Sequence, residues 1–346
     1  MTISRRILTA GAALLPLTTQ AQTSGQTGAP APIDTAIRSS LNELKPRGFP
    51  REPVEMTVVY PAGGGMDITG RLLQRLFERA TGDHATVNNR TGGAGLVGHT
   101  WIATQAPGDG HAVGLVSNLI FSDAARSGGR WSWTDIDHIA HVNAEPLNLV
   151  VNAEGPFKSA SLRDVLDAVK ARPGTIRVAN LPGGYYEYLI EQLEAASGAR
   201  FLRVPFQGGA PGITALLGNN VDLAFGFFAE VRSHLAADRL KAIAVTGRQR
   251  TLFLPDAPTV NSVVGREDVN WGVSRWVALP KAVPADRKAW LAAAYRAAVA
   301  LPEADQEFRS LGAMPDPALD TPEKLRAAVE RMAQEERNFL ATRAPR

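Results

Sequence analysis

The chain has no cysteine among its 346 residues. That excludes disulfides, thiolate metal sites, thiol nucleophiles and a lipidated N-terminal cysteine. No basic run is interleaved with aromatics: 37 Lys+Arg stand against 34 Asp+Glu, a formal charge of +3, and the charges are interspersed. This pattern argues against nucleic acid as a partner. Neither G-x-S-x-G nor H-E-x-x-H occurs, so the hydrolase nucleophile elbow and the helical zinc site are excluded. No apolar run reaches the ~20 residues a membrane span needs. The six histidines form no ligand-spaced cluster. Asp137, His138 and His141 lie close together, but Ile136 and Ile139 around them mark packing positions. Structural histidines are therefore expected, and no metal or other cofactor.

What is present describes a globular, two-domain chain. Hydrophobic residues make up 45% and charged residues 21%, which is ordinary for folded proteins, and the length allows two cores. At the N-terminus, Ser4-Arg5-Arg6 precedes an apolar stretch at 7–17, and Thr19-Gln20-Ala21 offers small residues. A cationic start, a short apolar core and a small-residue exit describe an export signal over 1–21. The paired arginines fit the twin-arginine route, and an ordinary Sec signal fits equally. Residues 22–52 are rich in Pro, Ser, Gly and Thr around one apolar-patterned piece at 33–44. This reads as a linker-like leader carrying one helix.

From there a plan repeats. Residues 54–60 are apolar and β-rich and lead into Ala62-Gly63-Gly64-Gly65-Met66-Asp67. Ile68, Leu72, Leu73, Leu76, Phe77 and Ala80 follow at helical spacing, up to Gly82. A strand at 85–89, a glycine loop to Gly98, a helix from His99 and a strand at 113–116 continue the alternation. The second half repeats it. Strands are expected at 175–179, 201–206, 221–225 and 241–246, with loops Leu181-Pro182-Gly183-Gly184 and Gln207-Gly208-Gly209-Ala210-Pro211-Gly212 and a short helix at 213–217. Alternating strands and helices imply α/β lobes with mainly parallel sheets, whose ligands collect at the carboxyl ends of strands. There the glycine loops let backbone approach a ligand, and the N–H groups opening the next helix attract an anion. A carboxylate fits such a place without lysine or arginine. The same glycines also fit a plain strand-to-helix turn, and Asp67 fits either a helix N-cap or a ligand contact.

Several stretches, in order, carry a resemblance. They are Val58-Val59-Tyr60-Pro61-Ala62-Gly63-Gly64-Gly65-Met66-Asp67, Asn89-Arg90-Thr91-Gly92-Gly93-Ala94-Gly95-Leu96-Val97-Gly98, and Lys170-Ala171-Arg172-Pro173-Gly174. Val204-Pro205-Phe206-Gln207-Gly208-Gly209, Leu240-Lys241-Ala242-Ile243-Ala244-Val245-Thr246 and Leu254-Pro255-Asp256-Ala257-Pro258-Thr259 follow. Together they resemble the Bug/TctC family, the extracytoplasmic binding receptors of tripartite tricarboxylate transporters. The resemblance implies a two-lobed, type II periplasmic binding protein of the Venus flytrap kind. Lobe 1 would take 53–150 plus 273–346, and lobe 2 would take 151–272. It implies a soluble periplasmic protein, a monomer after signal cleavage, that hands a small carboxylate to membrane transporter subunits without chemistry. The carboxylate would be held by backbone amides and water near the first glycine loop, with loops 180–186 and 206–211 closing from the other lobe. The residues expected to line the site are Tyr60, Ala62, Gly63, Gly64, Met66, Asp67 and Asn118 from lobe 1, and Tyr185, Tyr186, Phe206, Gly208 and Gly209 from lobe 2.

Departures from the family pattern fall in this same set. Met66 stands where a Ser or Thr is usual, Tyr185-Tyr186 where a small Gly-Ser pair is usual, and Phe206 where Tyr is common. These predict a more apolar pocket suited to an aromatic or long-chain carboxylate. Two rival functions are carried along. One is a ligand-sensing binding protein without a transporter. The other is an NAD-dependent oxidoreductase, because Gly93-Ala94-Gly95-Leu96-Val97-Gly98 matches G-x-G-x-x-G. However, Arg90-Thr91-Gly92 separates that run from the strand before it, and no acidic residue lies about 20 positions on.

Overall fold

The computed structural model describes residues 32–247, 249–267 and 272–342. The expected export segment 1–21 and the first part of the leader lie outside them. Among the described residues, no helix is long and apolar enough to cross a membrane.

The chain forms two lobes, each an α/β layer structure. The strands are β1 (Val54–Val58), β2 (Ala85–Asn89), β3 (Ala112–Ser117), β4 (Ile136–Pro146), β5 (Asn148–Asn152), β6 (Arg177–Asn180), β7 (Leu202–Pro205), β8 (Ala224–Gly226), β9 (Leu240–Val245) and β10 (Gly272–Pro280). The helices are α1 (Pro32–Leu44), α2 (Gly65–Thr81), α3 (Leu96–Thr104), α4 (Ile120–Arg126), α5 (Leu162–Ala171), α6 (Tyr185–Ser197), α7 (Gly209–Leu217), α8 (Phe228–Ala236), α9 (Val260–Val264), α10 (Ala285–Val299), α11 (Pro302–Leu311) and α12 (Pro322–Thr342).

Lobe 1 is built on a five-stranded sheet of order β2-β1-β3-β10-β4. Its first three strands are parallel, and β10 runs antiparallel to both β3 and β4. All six residues of β3 are buried, as expected of a strand covered on both faces. The amphipathic α2 lays Leu72, Leu73, Leu76 and Phe77 into this core. Phe77 meets Tyr295 of α10 at 4.8 Å and Trp290 at 6.0 Å. The later part of the 22–52 leader carries the helix expected at 33–44, as α1, and packs here. Leu41 and Phe49 are buried in the lobe 1 core, and Lys45 pairs with Asp83 at 2.6 Å. Their Pro- and Gly-rich flanks hid that docking from composition alone.

Lobe 2 contains the order β8-β5-β9 and the parallel pair β6-β7, joined by a parallel bridge from Val178 to Leu223. Its two cores lie on opposite faces, because alternate residues of a strand point apart. Leu149 and Val151 of β5 join α5, α6 and α9, while Val150 joins α7 and α8. The sheets are thus mixed, since β5 runs antiparallel to β8 and β9.

Three boundaries differ from the sequence expectation by three residues or more. α3 starts at Leu96, ahead of His99. α7 starts at Gly209, four residues before the apolar pattern begins; Pro211 is accommodated in its first turn, where no N–H is required. The strand expected at 221–225 is reduced to β8. There the Asp222 carboxylate takes the Arg177 N–H at 2.8 Å and the guanidinium at 2.7 Å, replacing ladder bonds.

The chain passes between the lobes beside β10. β4 pairs with β10 along its length, then runs through Leu147 directly into β5. β10 opens at Gly272, opposite Pro146. Asn118 clasps this place: its amide oxygen accepts from Ser274 N–H at 3.1 Å and its NH2 donates to Gly272 carbonyl at 3.3 Å.

Candidate functional site

Among the hollows walled by both lobes, one is built from the glycine loops of each. Lobe 1 supplies Tyr60, Ala62, Gly64 and Met66 from the first glycine loop, with Arg275 from β10. Lobe 2 supplies Leu181, Tyr185, Tyr186, Gly208, Gly209, Phe227 and Glu230. About 40 Å³ is free within it, room for a few waters. A larger hollow of about 620 Å³ is lined by Trp133, His138, Lys281, Lys288 and Arg326 among others, all from lobe 1, so no closing of one lobe on the other acts on it.

Eight of the twelve residues expected from sequence are therefore brought together: Tyr60, Ala62, Gly64, Met66, Tyr185, Tyr186, Gly208 and Gly209. Four are placed otherwise. Gly63, with φ +82°, turns the chain behind the cavity wall and donates its N–H to Asp67 at 2.9 Å. Asp67 is neither N-cap nor cavity wall; Gly64 is the N-cap, and it has no side-chain cap. Burial alone pushes the Asp67 carboxyl up, yet hydrogen bonds from Arg71, Gly63 and Asn89 hold its pKa below the ordinary value. Its oxygens accept from Arg71 Nε at 3.0 Å and Asn89 Nδ2 at 3.0 Å, which consumes it structurally. Asn118 is spent on the crossing strand. Phe206 is half-buried, packs against the lobe 2 core beside α7 and β6, and does not line the cavity.

Two of the three tyrosines are anchored by their hydroxyls. Tyr60 donates to Ala94 carbonyl at 3.0 Å, and Tyr185 donates to Ser117 Oγ. Tyr186 stacks on Phe225 with ring centres 6.0 Å apart. Burial raises all three phenol pKa values, so they act as neutral hydrogen-bonding walls.

Three charged residues that the sequence reading missed complete the site. Arg275 is 1% exposed and pairs with the equally buried Glu145 at 2.5 Å. The same Nη1 reaches Asn143 Oδ1 at 3.1 Å, and the guanidinium lies 4.6 Å from the Phe227 ring centre. Burial raises the Glu145 pKa against the opposing pull of Arg275. Glu230 sits in the first turn of α8, and its carboxylate reaches Gly65 N–H in lobe 1 at 3.0 Å. An acid in a first turn reads in sequence as an ordinary helix-start residue. Only the packing of α8 against α2 aims it across the cleft.

The glycine loop at 93–98 is filled by protein. A Cβ on Gly95 would lie 3.0 Å from Asp123 Oδ2 and 3.2 Å from the Tyr60 hydroxyl. Buried Asp123 meets His99 at 2.6 Å and pairs with Arg126. An aspartate here repels a pyrophosphate, so the loop does not offer the anion cradle of a dinucleotide site. The histidines near Asp137 are packing residues. His138 accepts from Trp276 Nε1 at 2.7 Å and donates to Trp133 carbonyl at 3.1 Å. His141 meets Ser274 Oγ at 3.2 Å.

Two α/β lobes joined by adjacent crossing strands, with helix-start loops from each facing one cavity, define a solute-binding protein of the periplasmic two-lobed class. The chain belongs to the tripartite tricarboxylate transporter family of receptors, TctC, whose model it matches over residues 70–337. A UPF0065 protein from the tcbD-tcbE intergenic region of Pseudomonas sp. (strain P51) is 29% identical over 279 residues, 79% of this chain and 82% of that one. The structure of periplasmic binding protein BugD matches with a TM-score of 0.76 at 27% identity, covering 83% of this chain and 96% of that one. MatC from Rhodopseudomonas palustris, solved with bound malate, shares the fold at a TM-score of 0.75 and 22% identity, covering 83% of this chain and 98% of that one.

Proposed function

We propose that this protein captures a small carboxylate between its lobes and presents it to the membrane subunits of a tripartite tricarboxylate-type transporter. The observation that carries this reading is the two-lobe cavity walled by the start of α2 on one side and of α7 on the other. Helix starts facing a common space favour an anion, and the malate held by MatC is a ligand of that chemistry. The lobes hinge where β4 passes into β5 and where β10 begins, near 146–148 and 272. Ligand favours closure because it touches both lobes only then.

The reaction is binding alone, carried out by a monomer in the periplasm after removal of the 1–21 signal. Met66, Tyr185 and Tyr186, joined by Phe227 in place of Phe206, favour an aromatic or long-chain carboxylate.

Thermal melting against malate, citrate, adipate and benzoate, with NAD as control, tests the reading. A ligand at 100 times its Kd stabilises by ~2.7 kcal/mol, which raises the midpoint by roughly 4–6 °C for a chain of this size. One carboxylate class is expected to shift the midpoint and NAD to leave it unchanged. A shift with NAD alone would overturn the proposal in favour of the oxidoreductase.

A further inference from the structure

The amide at the start of α2 already has a carboxylate partner, and that partner comes from the opposite lobe. Glu230 Oε1 accepts from Gly65 N–H at 3.0 Å across 165 positions of sequence. Its Oε2 accepts from Phe227 N–H at 2.9 Å, within the first turn of its own helix. Gly209 opens α7 beside it, and a Cβ there would lie 2.7 Å from both Glu230 oxygens and 2.4 Å from the Tyr186 hydroxyl. Three helix starts thus converge on one carboxylate. On the same cavity wall stands Arg275, buried, whose Nε and Nη2 meet no hydrogen-bond acceptor among the described residues. A buried guanidinium with unspent donors is costly and is the side chain best suited to grip a carboxylate.

We propose that Glu230 and Arg275 together hold the ligand's carboxylate, Arg275 through its unspent N–H groups and Glu230 as a protonated acid donating to it, so that capture takes up one proton from solvent. This rests on the carboxylate reading above. Two carboxylates in one buried site do not both stay ionised; the pair keeps a proton. Glu230 retains its Phe227 bond and cedes the Gly65 amide to the ligand. No covalent bond changes: a solvent proton joins the Glu230 carboxylate, and the resulting O–H donates to the ligand anion.

Glu230 is prepared for that proton. Burial pushes its pKa up to about 7 against the hydrogen bonds from Phe227 and Gly65, with Glu145 raising it further and Arg275 lowering it. The groups facing it are Glu145 on β4, Arg275 on β10 and Tyr186 on α6. α2 contributes Asp67, already paired with Arg71, and α7 has no charged residue. On the remaining packed elements, Arg309 of α11 pairs with Asp305, and Lys241 of β9 bonds the Ala160 carbonyl.

The experiment is calorimetric titration of malate, adipate and benzoate at about pH 8, in buffers of different ionisation enthalpy, with Kd followed from about pH 6 to 8. The wild type is expected to take up about one proton per carboxylate bound and to bind up to roughly tenfold more weakly per pH unit above 7. Glu230→Gln is expected to take up none and to show a level Kd. Arg275→Lys keeps the charge opposite Glu145 but loses the fork, so its affinity falls at least about tenfold while the proton count stays. Wild-type binding without proton uptake, or with release, would overturn the proposal, and that reading needs no variant to fold. An unchanged Kd in Arg275→Lys would overturn the role of Arg275. Binding of none of the three probes at any of these pH values, in wild type or Glu230→Gln, would remove the carboxylate reading itself and this proposal with it.

Discussion

At the scale of single residues, the cleft is decided by what side chains leave out as much as by what they contribute. Gly65 has an ordinary helical backbone, so glycine is not needed there for its own conformation. A Cβ at this position would lie 2.6 Å from Phe227 Cδ2 and 2.9 Å from its Cγ, atoms of the other lobe. Gly65→Ala therefore wedges the lobes apart while leaving α2 intact. The expected result is a melting midpoint close to wild type and a carboxylate affinity reduced about ten- to hundredfold, from ~1–3 kcal/mol of overpacking. Titration of the purified variant checks it, and an unchanged affinity would show that the lobes need not meet this closely. The first glycine loop was readable because three consecutive glycines between a strand and a helix demand close approach. Glu230 and Arg275 were not, since an acid in a helix's first turn and an arginine in a strand each have a common surface explanation. Their burial comes from partners far away in sequence.

At the scale of elements, glycines also set how closely helices ride on the sheet. The last glycine of the 93–98 run, Gly98, lies in the first turn of α3, and a Cβ there would come within 2.6 Å of the Arg90 carbonyl and 2.7 Å of Val59 Cγ1. The run that matched a dinucleotide fingerprint is therefore explained by helix–strand packing and by the Asp123–His99 pair beneath it. Gly98→Ala should cost ~1–3 kcal/mol of stability, measured by urea denaturation. No loss would mean that α3 has slack against β1 and that the glycine awaits another explanation. The α2 helix and the strand β1 followed directly from apolar patterning. The long antiparallel pair of β4 and β10 did not, because its two members are separated by the whole of lobe 2 and neither carries a turn signal linking them.

At the scale of the whole molecule, buried titratable groups pull stability in opposite directions. Burial lowers the pKa of His138 and His141 from 6.5 to about 4. Their neutral burial is a stabilising contribution fully present above pH 6.5 and lost as pH falls toward 4. Burial raises Glu230 and Glu336 from 4.5 to about 7. Their contribution is fully present below pH 4.5 and lost as pH rises through 7. Between about pH 7 and 5 the two pairs offset each other, at about 2 kcal/mol for each group, so the wild type should change little. His141→Gln removes one acid-sensitive member, and its stability at about pH 5 relative to pH 7 should rise by about 2 kcal/mol against wild type. Denaturant titrations at both pH values measure this, and a slope equal to wild type would show that His141 does not titrate on unfolding.

The order of strands, glycine loops and helices was determined by the sequence alone, because those features depend on local periodicity and on the backbone freedom of glycine, and the two-lobed class followed from the family resemblance that the ordered motifs carry. The docking of 32–52 onto lobe 1 and the diversion of Phe206 from cleft to core were decided only in three dimensions. So was the meeting of Glu230, Arg275 and the start of α2. The reason is physical: local pattern specifies which face of an element is apolar, whereas the partner of a buried charge or ring is chosen by packing between segments that the sequence holds far apart.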